Sequence, residues 1–198
     1  VAYVQPNHRY KLVEPRDGEE YENLGPAGQA QPFANGISSL PNDPACNNGT
    51  SSANQYYLFA SKAANAWAEA ICGGSVTVAV LDTGCRLDHE DLVGVVDAAH
   101  AYDAYNNRPL SQSGYGDYAG HGTHVCGIVS GQANNGVGIA GASYNANLLP
   151  VKVFDDSTSS QTASASTATM LKAYEYLGDL IDAGSVPNLR VINMSLGY

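Results

Sequence analysis

The stretch that most constrains the fold is Ser75-Val76-Thr77-Val78-Ala79-Val80-Leu81, which carries apolar side chains on both alternating faces, save Thr77. A half-exposed antiparallel strand would alternate polar with apolar residues. A strand that hides both faces belongs in a parallel sheet with helices packed on each side. The stretch runs directly into Asp82-Thr83-Gly84, a carboxylate followed by a turn. In open α/β sheets, ligands bind beyond the carboxyl ends of the strands, so Asp82 stands where chemistry is expected.

The rest of the chain follows the same alternation. A helical pattern runs from Tyr57 to Ala70 until Gly73-Gly74 stops it, and a short strand is expected at Val93 to Val96. A helix begins at His121, an Asn/Gly loop covers Asn134 to Gly138, and a strand runs from Leu148 to Phe154. After the polar loop Asp155–Ser160 comes a helix with Met170, Tyr174, Leu177 and Ile181 on one stripe. Gly184 and Pro187 close it, and Arg190 to Leu196 is a last strand. Strands alternating with helices imply βαβ units with right-handed crossovers. Ala2-Tyr3-Val4 reads as a strand within residues 1–10. Residues 11–40, rich in Gly, Pro, Asn and Glu, read as an arm before a domain over 41–198. The strand-like start places the chain's beginning at a processing point.

At 198 residues the chain can bury one sizeable core. Its net charge of −10 argues against binding nucleic acid or an anionic membrane. No apolar run reaches transmembrane length. Four cysteines (Cys46, Cys72, Cys85 and Cys126) match no zinc spacing and leave the disulfide state open. Asn48-Gly49-Thr50 is a turn signal before it is a glycosylation acceptor. Asn193-Met194-Ser195 falls in a strand and is expected to be too buried for modification.

His121-Gly122-Thr123-His124-Val125-Cys126-Gly127 supplies the base. His121, Val125, Ile128 and Val129 share one helical face, and Gly120 and Gly122 permit close approach of another backbone. A helix N-terminus disfavours imidazolium, so the ring rests neutral and ready to accept a proton. A carboxylate at Asp82 can accept the ring N–H, fix the tautomer and stabilise the imidazolium formed in proton transfer. His124 has no assigned role, and a His121/His124 zinc pair lacks a third ligand.

Val78-Ala79-Val80-Leu81-Asp82-Thr83-Gly84, the His121 motif and Val191-Ile192-Asn193-Met194-Ser195-Leu196-Gly197, in that order, resemble the subtilisin family of serine proteases from about Pro41 to Tyr198. The resemblance implies a three-layer α/β fold with a mostly parallel sheet, incomplete in this chain, and serine endopeptidase chemistry. It makes Asp82 the orienting acid and His121 the general base. Ser195, Leu196 and Gly197 become the edge that pairs with extended substrate backbone. Ser195 is not the nucleophile, because it lacks the family's Gly-Thr-Ser-Met context.

In this family the nucleophilic serine and the oxyanion asparagine lie downstream of the last motif. The expectation is therefore an N-terminal fragment completed by a C-terminal fragment of the same protease. The rival is a non-catalytic, protease-like peptide-binding or regulatory protein. An aspartic protease would need a second Asp-Thr-Gly or a symmetric dimer; no second motif occurs, and that reading leaves the histidine motif unexplained. Val1 to Asn7 resembles the end of an inhibitory propeptide, and Leu40 to Pro44 the mature N-terminus of thermitase-like members, which implies a secreted, autoprocessed zymogen. Asn134 to Gly141 resembles the family's calcium loop. By that match calcium would take the carboxylates of Asp43 and Asp91, the side chain of Asn135, and carbonyls of Gln132, Val137 and Ile139.

Overall fold

The computed structural model describes residues 7–12, 40–46, 55–67 and 70–197. The strand expected at Ala2-Tyr3-Val4, most of the arm and the turn at Asn48-Gly49-Thr50 lie outside them. In chain order the elements are β1 (Arg9–Leu12), α1 (Tyr56–Ala60), α2 (Ala63–Ala66), β2 (Thr77–Asp82), β3 (Tyr102–Asp103) and β4 (Arg108–Pro109). These are followed by α3 (His121–Ser130), β5 (Asn147–Lys152), β6 (Ala165–Ser166), α4 (Thr167–Asp182), β7 (Leu189–Asn193) and β8 (Leu196–Gly197).

β2 is buried along its whole length. It lies between β5 and β7 in a sheet of order β4-β3-β5-β2-β7 and runs parallel to both neighbours. Its two faces enter two different cores. Ala79 and Leu81, with Leu149 and Val151 of β5, pack against Met170, Ala173 and Leu177 of α4. Val78 and Val80, with Leu148, pack against Val125 and Cys126 of α3. The helix–sheet–helix layering expected from a doubly apolar strand is therefore present. Full burial of each such Val or Leu contributes about 1.5–3 kcal/mol relative to exposure. Among the described strands of this sheet, only β4 runs antiparallel, against its neighbour β3. α4 is capped by Ser166, whose hydroxyl accepts from the Thr169 N–H at 3.2 Å.

Several expected elements differ. The helix expected over Tyr57–Ala70 is broken into α1 and α2, because Lys62 adopts a left-handed φ of 61°. Val93–Val96 forms turns with a single bridge, Val96 to Leu148, rather than a strand. The buried stripe of α4 is Thr169, Met170, Ala173 and Leu177, whereas Tyr174 and Ile181 face outward. In α3, Ile128 is exposed and the buried face is built from small residues, Gly122, Cys126 and Gly127, with Val125. That small-residue face permits the close packing described below. The last strand divides into β7 and β8, and Met194 between them is exposed, so the expected burial of Asn193-Met194-Ser195 does not hold. A strand absent from the sequence reading occurs at β1. It pairs antiparallel with β6 on one side and β8 on the other.

Candidate active site

Asp82 is the last residue of β2 and His121 the first of α3, so the topology brings a strand's carboxyl end against a helix's amino end. The Asp82 carboxylate is fully buried, and its Oδ1 lies 2.7 Å from His121 Nδ1. The same oxygen accepts the Thr83 N–H at 2.7 Å. Because a carboxylate only accepts, the proton of the neutral ring resides on Nδ1, and Nε2 becomes the basic nitrogen. Asp82 Oδ2 is buried with no hydrogen-bond partner among the described residues.

The residues around this pair were not singled out from the sequence. Thr83 Oγ1 donates to the buried Asp117 at 2.8 Å and accepts the Gly122 N–H at 2.8 Å. Lys152, at the end of β5 and 1% exposed, donates from Nζ to the Thr83 carbonyl at 3.0 Å. Asp103, at the end of β3, accepts from Ser113 and Asn106. Although burial raises its pKa, these hydrogen bonds and the Lys152 charge hold it below the ordinary carboxylate value. The signal that was available is position, since each lies at a strand's carboxyl end or in the loop before His121. His124 is exposed. An open cleft of about 610 Å3 between Cys85–Asp88 and Leu110–Tyr118 lies beside the pair and is not lined by it.

Cys46, Cys72, Cys85 and Cys126 are free thiols. Cys126 shares a side-chain hydrogen bond with Cys85, and this bond, followed by burial, pushes its thiol well above the usual range. Burial, then the neighbouring Asp43, pushes the Cys46 thiol up to about 11.

Leu196 and Gly197 form β8, and their partners are Leu12 and Lys11 of the chain's own N-terminal strand. Ser195 precedes β8, and its hydroxyl accepts from Asn193 Nδ2 at 3.1 Å. The loop after α3 gathers the two buried acids of the expected calcium set. Asp43 accepts from the Asn134 and Asn135 N–H groups at 2.8 and 3.1 Å. Asp91 accepts from Asn135 Nδ2 at 3.0 Å and from the Ile139 N–H at 2.9 Å. Asn135 Oδ1 accepts the Val137 N–H, and the Gln132 N–H donates to the Asp91 carbonyl. Burial, reinforced by the Asp43 charge, raises the Asp91 pKa against the hydrogen bonds that lower it. Among the described residues no three His, Cys, Asp or Glu side chains are placed to hold a metal. A cation here would therefore draw on amide and carbonyl oxygens beside two carboxylates, a donor set that suits a hard ion.

Against known proteins, a family model described as the subtilase family matches residues 73–198. Thermitase of Thermoactinomyces vulgaris is 34% identical over 157 residues, covering 79% of this chain and 48% of that protein. The major intracellular serine protease of Bacillus subtilis is 34% identical over 136 residues, covering 69% of this chain and 38% of that protein. The chain thus spans less than half the length of either relative. Fervidolysin of Fervidobacterium pennivorans, described as a keratinolytic enzyme related to subtilisin, superimposes with a TM-score of 0.56 at 24% identity. That match covers 97% of this chain and 26% of the other, and it speaks to the fold alone.

Proposed function

The chain belongs to the subtilase family, whose model spans residues 73–198, and from that premise we propose that it is the portion of a serine endopeptidase that carries the orienting acid and the general base. The observation that carries this reading is the 2.7 Å hydrogen bond from His121 Nδ1 to Asp82 Oδ1 at the carboxyl end of a buried parallel strand. Asp82 holds the ring in the tautomer that leaves Nε2 basic. His121 takes the proton of a serine hydroxyl as it attacks the scissile carbonyl, then returns it to the leaving amine. The serine and the oxyanion donors come from a C-terminal part of the same protease. Support for such a part comes from β7, an edge strand of the sheet on which Val191 and Ile192 are 49% and 40% exposed. An exposed apolar edge strand invites pairing with further chain.

Peptide substrates would pair with Ser195-Leu196-Gly197. β1 already lies antiparallel along Leu196–Gly197, which supports a zymogen whose own N-terminal segment fills the substrate edge until it is processed. The propeptide strand expected at Ala2-Tyr3-Val4 lies outside the described residues, and Arg9–Leu12 is the described segment that occupies this edge. Among the described residues no helix is long and apolar enough to cross a membrane. We place the protein outside the cell, in keeping with its net charge of −10 and the calcium site proposed below.

A fluorophosphonate probe tests the reading. Applied to the native protein isolated through this chain, it is expected to label a serine outside residues 1–198, and mutation of His121 to alanine is expected to abolish labelling. Absence of label on any associated polypeptide would favour the non-catalytic peptide-binding reading.

Calcium is the second part of the proposal. Asp43, Asp91 and Asn135, with carbonyls of Gln132, Val137 and Ile139, would hold the ion, which supplies charge neutralisation for two buried acids. A site held at a hundred times its Kd gains about 2.7 kcal/mol. Chelation is therefore expected to lower the stability measured by urea unfolding by about 2–3 kcal/mol, with Asp91→Asn insensitive to chelator. Identical unfolding curves with and without chelator would remove calcium from the account.

A further inference from the structure

Asp117 lies four residues before His121 and is only 5% exposed, yet no step above uses it. Its carboxylate is fully engaged. Oδ1 accepts from Thr83 Oγ1 at 2.8 Å and from the Gly120 N–H at 2.9 Å. Oδ2 accepts from the Thr123 N–H at 2.8 Å and from Thr123 Oγ1 at 2.6 Å. The Thr83 hydroxyl, polarised by its donation to Asp117, accepts the Gly122 N–H at 2.8 Å.

These contacts do two jobs. The first N–H groups of a helix have no intrahelical partner, and the residue at the N-cap of α3 is Gly120, which has no side chain to cap it. Asp117 and Thr83 take over that role. Asp117 accepts at the cap and at the third helical residue, and Thr83 accepts at the second. A negative charge there also complements the positive end of the helix. Thr83, in turn, is bonded to Asp82 through the chain. One carboxylate therefore grips both the turn that carries Asp82 and the helical turn that carries His121. Thr123 extends the grip, because its Oγ1 also accepts the Arg86 N–H at 3.0 Å. The close approach of Gly122 to Gly84, where a Cβ would collide with the Gly84 carbonyl, needs such a clamp to hold two backbones in contact.

We propose that Asp117 is a positioning residue that sets the distance and orientation between Asp82 and His121 through Thr83 and Thr123. This rests on the reading of Asp82–His121 as the acid–base pair, but it concerns the geometry of the pair and not its chemistry. The shared Nδ1–H proton gives a direct readout by proton NMR, as a downfield imidazole resonance from the full chain. In wild type the resonance is expected. In Asp117→Asn, which puts an amide donor where Thr123 also donates, it is expected to be lost to exchange with water. Thr123→Val, which removes only the hydroxyl, is expected to shift and broaden it, and Thr123→Ser to restore it. Should Asp117→Asn fail to fold, the Val and Ser variants at Thr123 decide the question. A resonance unchanged in the folded variants, with only the unfolding temperature lowered, would make Asp117 a mere structural cap and overturn the proposal. No resonance in wild type would instead overturn the acid–base reading itself, and this proposal with it.

Discussion

Replacing His121 by alanine in the completed protease is expected to lower turnover of a peptide substrate on the order of 10⁶-fold, the scale seen when the histidine of a Ser-His-Asp system is removed. Asp82→Asn is expected to cost on the order of 10⁴-fold. The asymmetry follows from the geometry. In the proposed mechanism His121 itself carries the proton, whereas Asp82 acts through the 2.7 Å bond to Nδ1. An amide at position 82 would present an N–H to that nitrogen and favour the tautomer whose Nε2 is already protonated. The loss should appear in kcat with KM little changed, because the charge on the imidazolium develops only in the transition state. Since the two groups act as a unit, Asp82→Asn made in the His121→Ala background should cost almost nothing further. Active-site-titrated kinetics of the two single variants and the double variant check this. A His121→Ala enzyme within tenfold of wild type would move the general base to another residue.

How much of this was legible in the sequence depends on the length scale of the force involved. β2 was legible because a strand with both faces apolar can satisfy itself only between two layers, and Val78–Val80 and Ala79–Leu81 indeed enter separate cores. The Asp82–His121 pair followed from strand-end chemistry and motif order. Tyr174 and Ile181 were misread because periodicity reports one stripe without saying which way it faces. Small residues such as Thr169 and Ala173 fill the buried side of α4, where the sheet lies close. Val93–Val96 is apolar enough for a strand, yet it coils into turns that bury Leu92 and Val95 beneath the sheet. Lys62 breaks a helix at a residue of good helical propensity, an instance of tertiary context overriding a weak local preference. Asp117 was invisible for a different reason. Its partners, Thr83 and Thr123, come from two segments joined only by the fold, and no local pattern marks a carboxylate that caps a helix from outside its first turn. β1 was missed because four residues of mixed polarity carry no period, and its pairing with β6 and β8 is set wholly by distant chain.

The close contact beneath the acid–base pair leads to a stability prediction with an internal control. Gly84 has φ +115°, a region that L side chains rarely adopt, and a Cβ there would overlap the Gly116 carbonyl oxygen. Both strain terms act together. The backbone conformation costs of order 1–3 kcal/mol for a residue with a side chain, and forcing extra volume into a packed site costs typically 1–3 kcal/mol. Gly84→Ala is therefore expected to destabilise the chain by about 2–6 kcal/mol in urea unfolding. Because the overlap is with backbone rather than with the flexible end of a side chain, repacking cannot relieve it cheaply. The turn must shift, and Asp82 and Thr83 shift with it, so the downfield Nδ1–H resonance should disappear even in molecules that remain folded. Gly178 supplies the control. It lies inside α4, and a Cβ there meets nothing within 4 Å. Its replacement by alanine should remove the helix-interior penalty of glycine and stabilise the chain by roughly 0.5–1 kcal/mol. Opposite signs from the same chemical change would locate the constraint in the turn after β2. A Gly84→Ala chain as stable as wild type would show that the turn after β2 and the loop at Gly116–Asp117 are not held in contact, and the distance between Asp82 and His121 would then need another explanation.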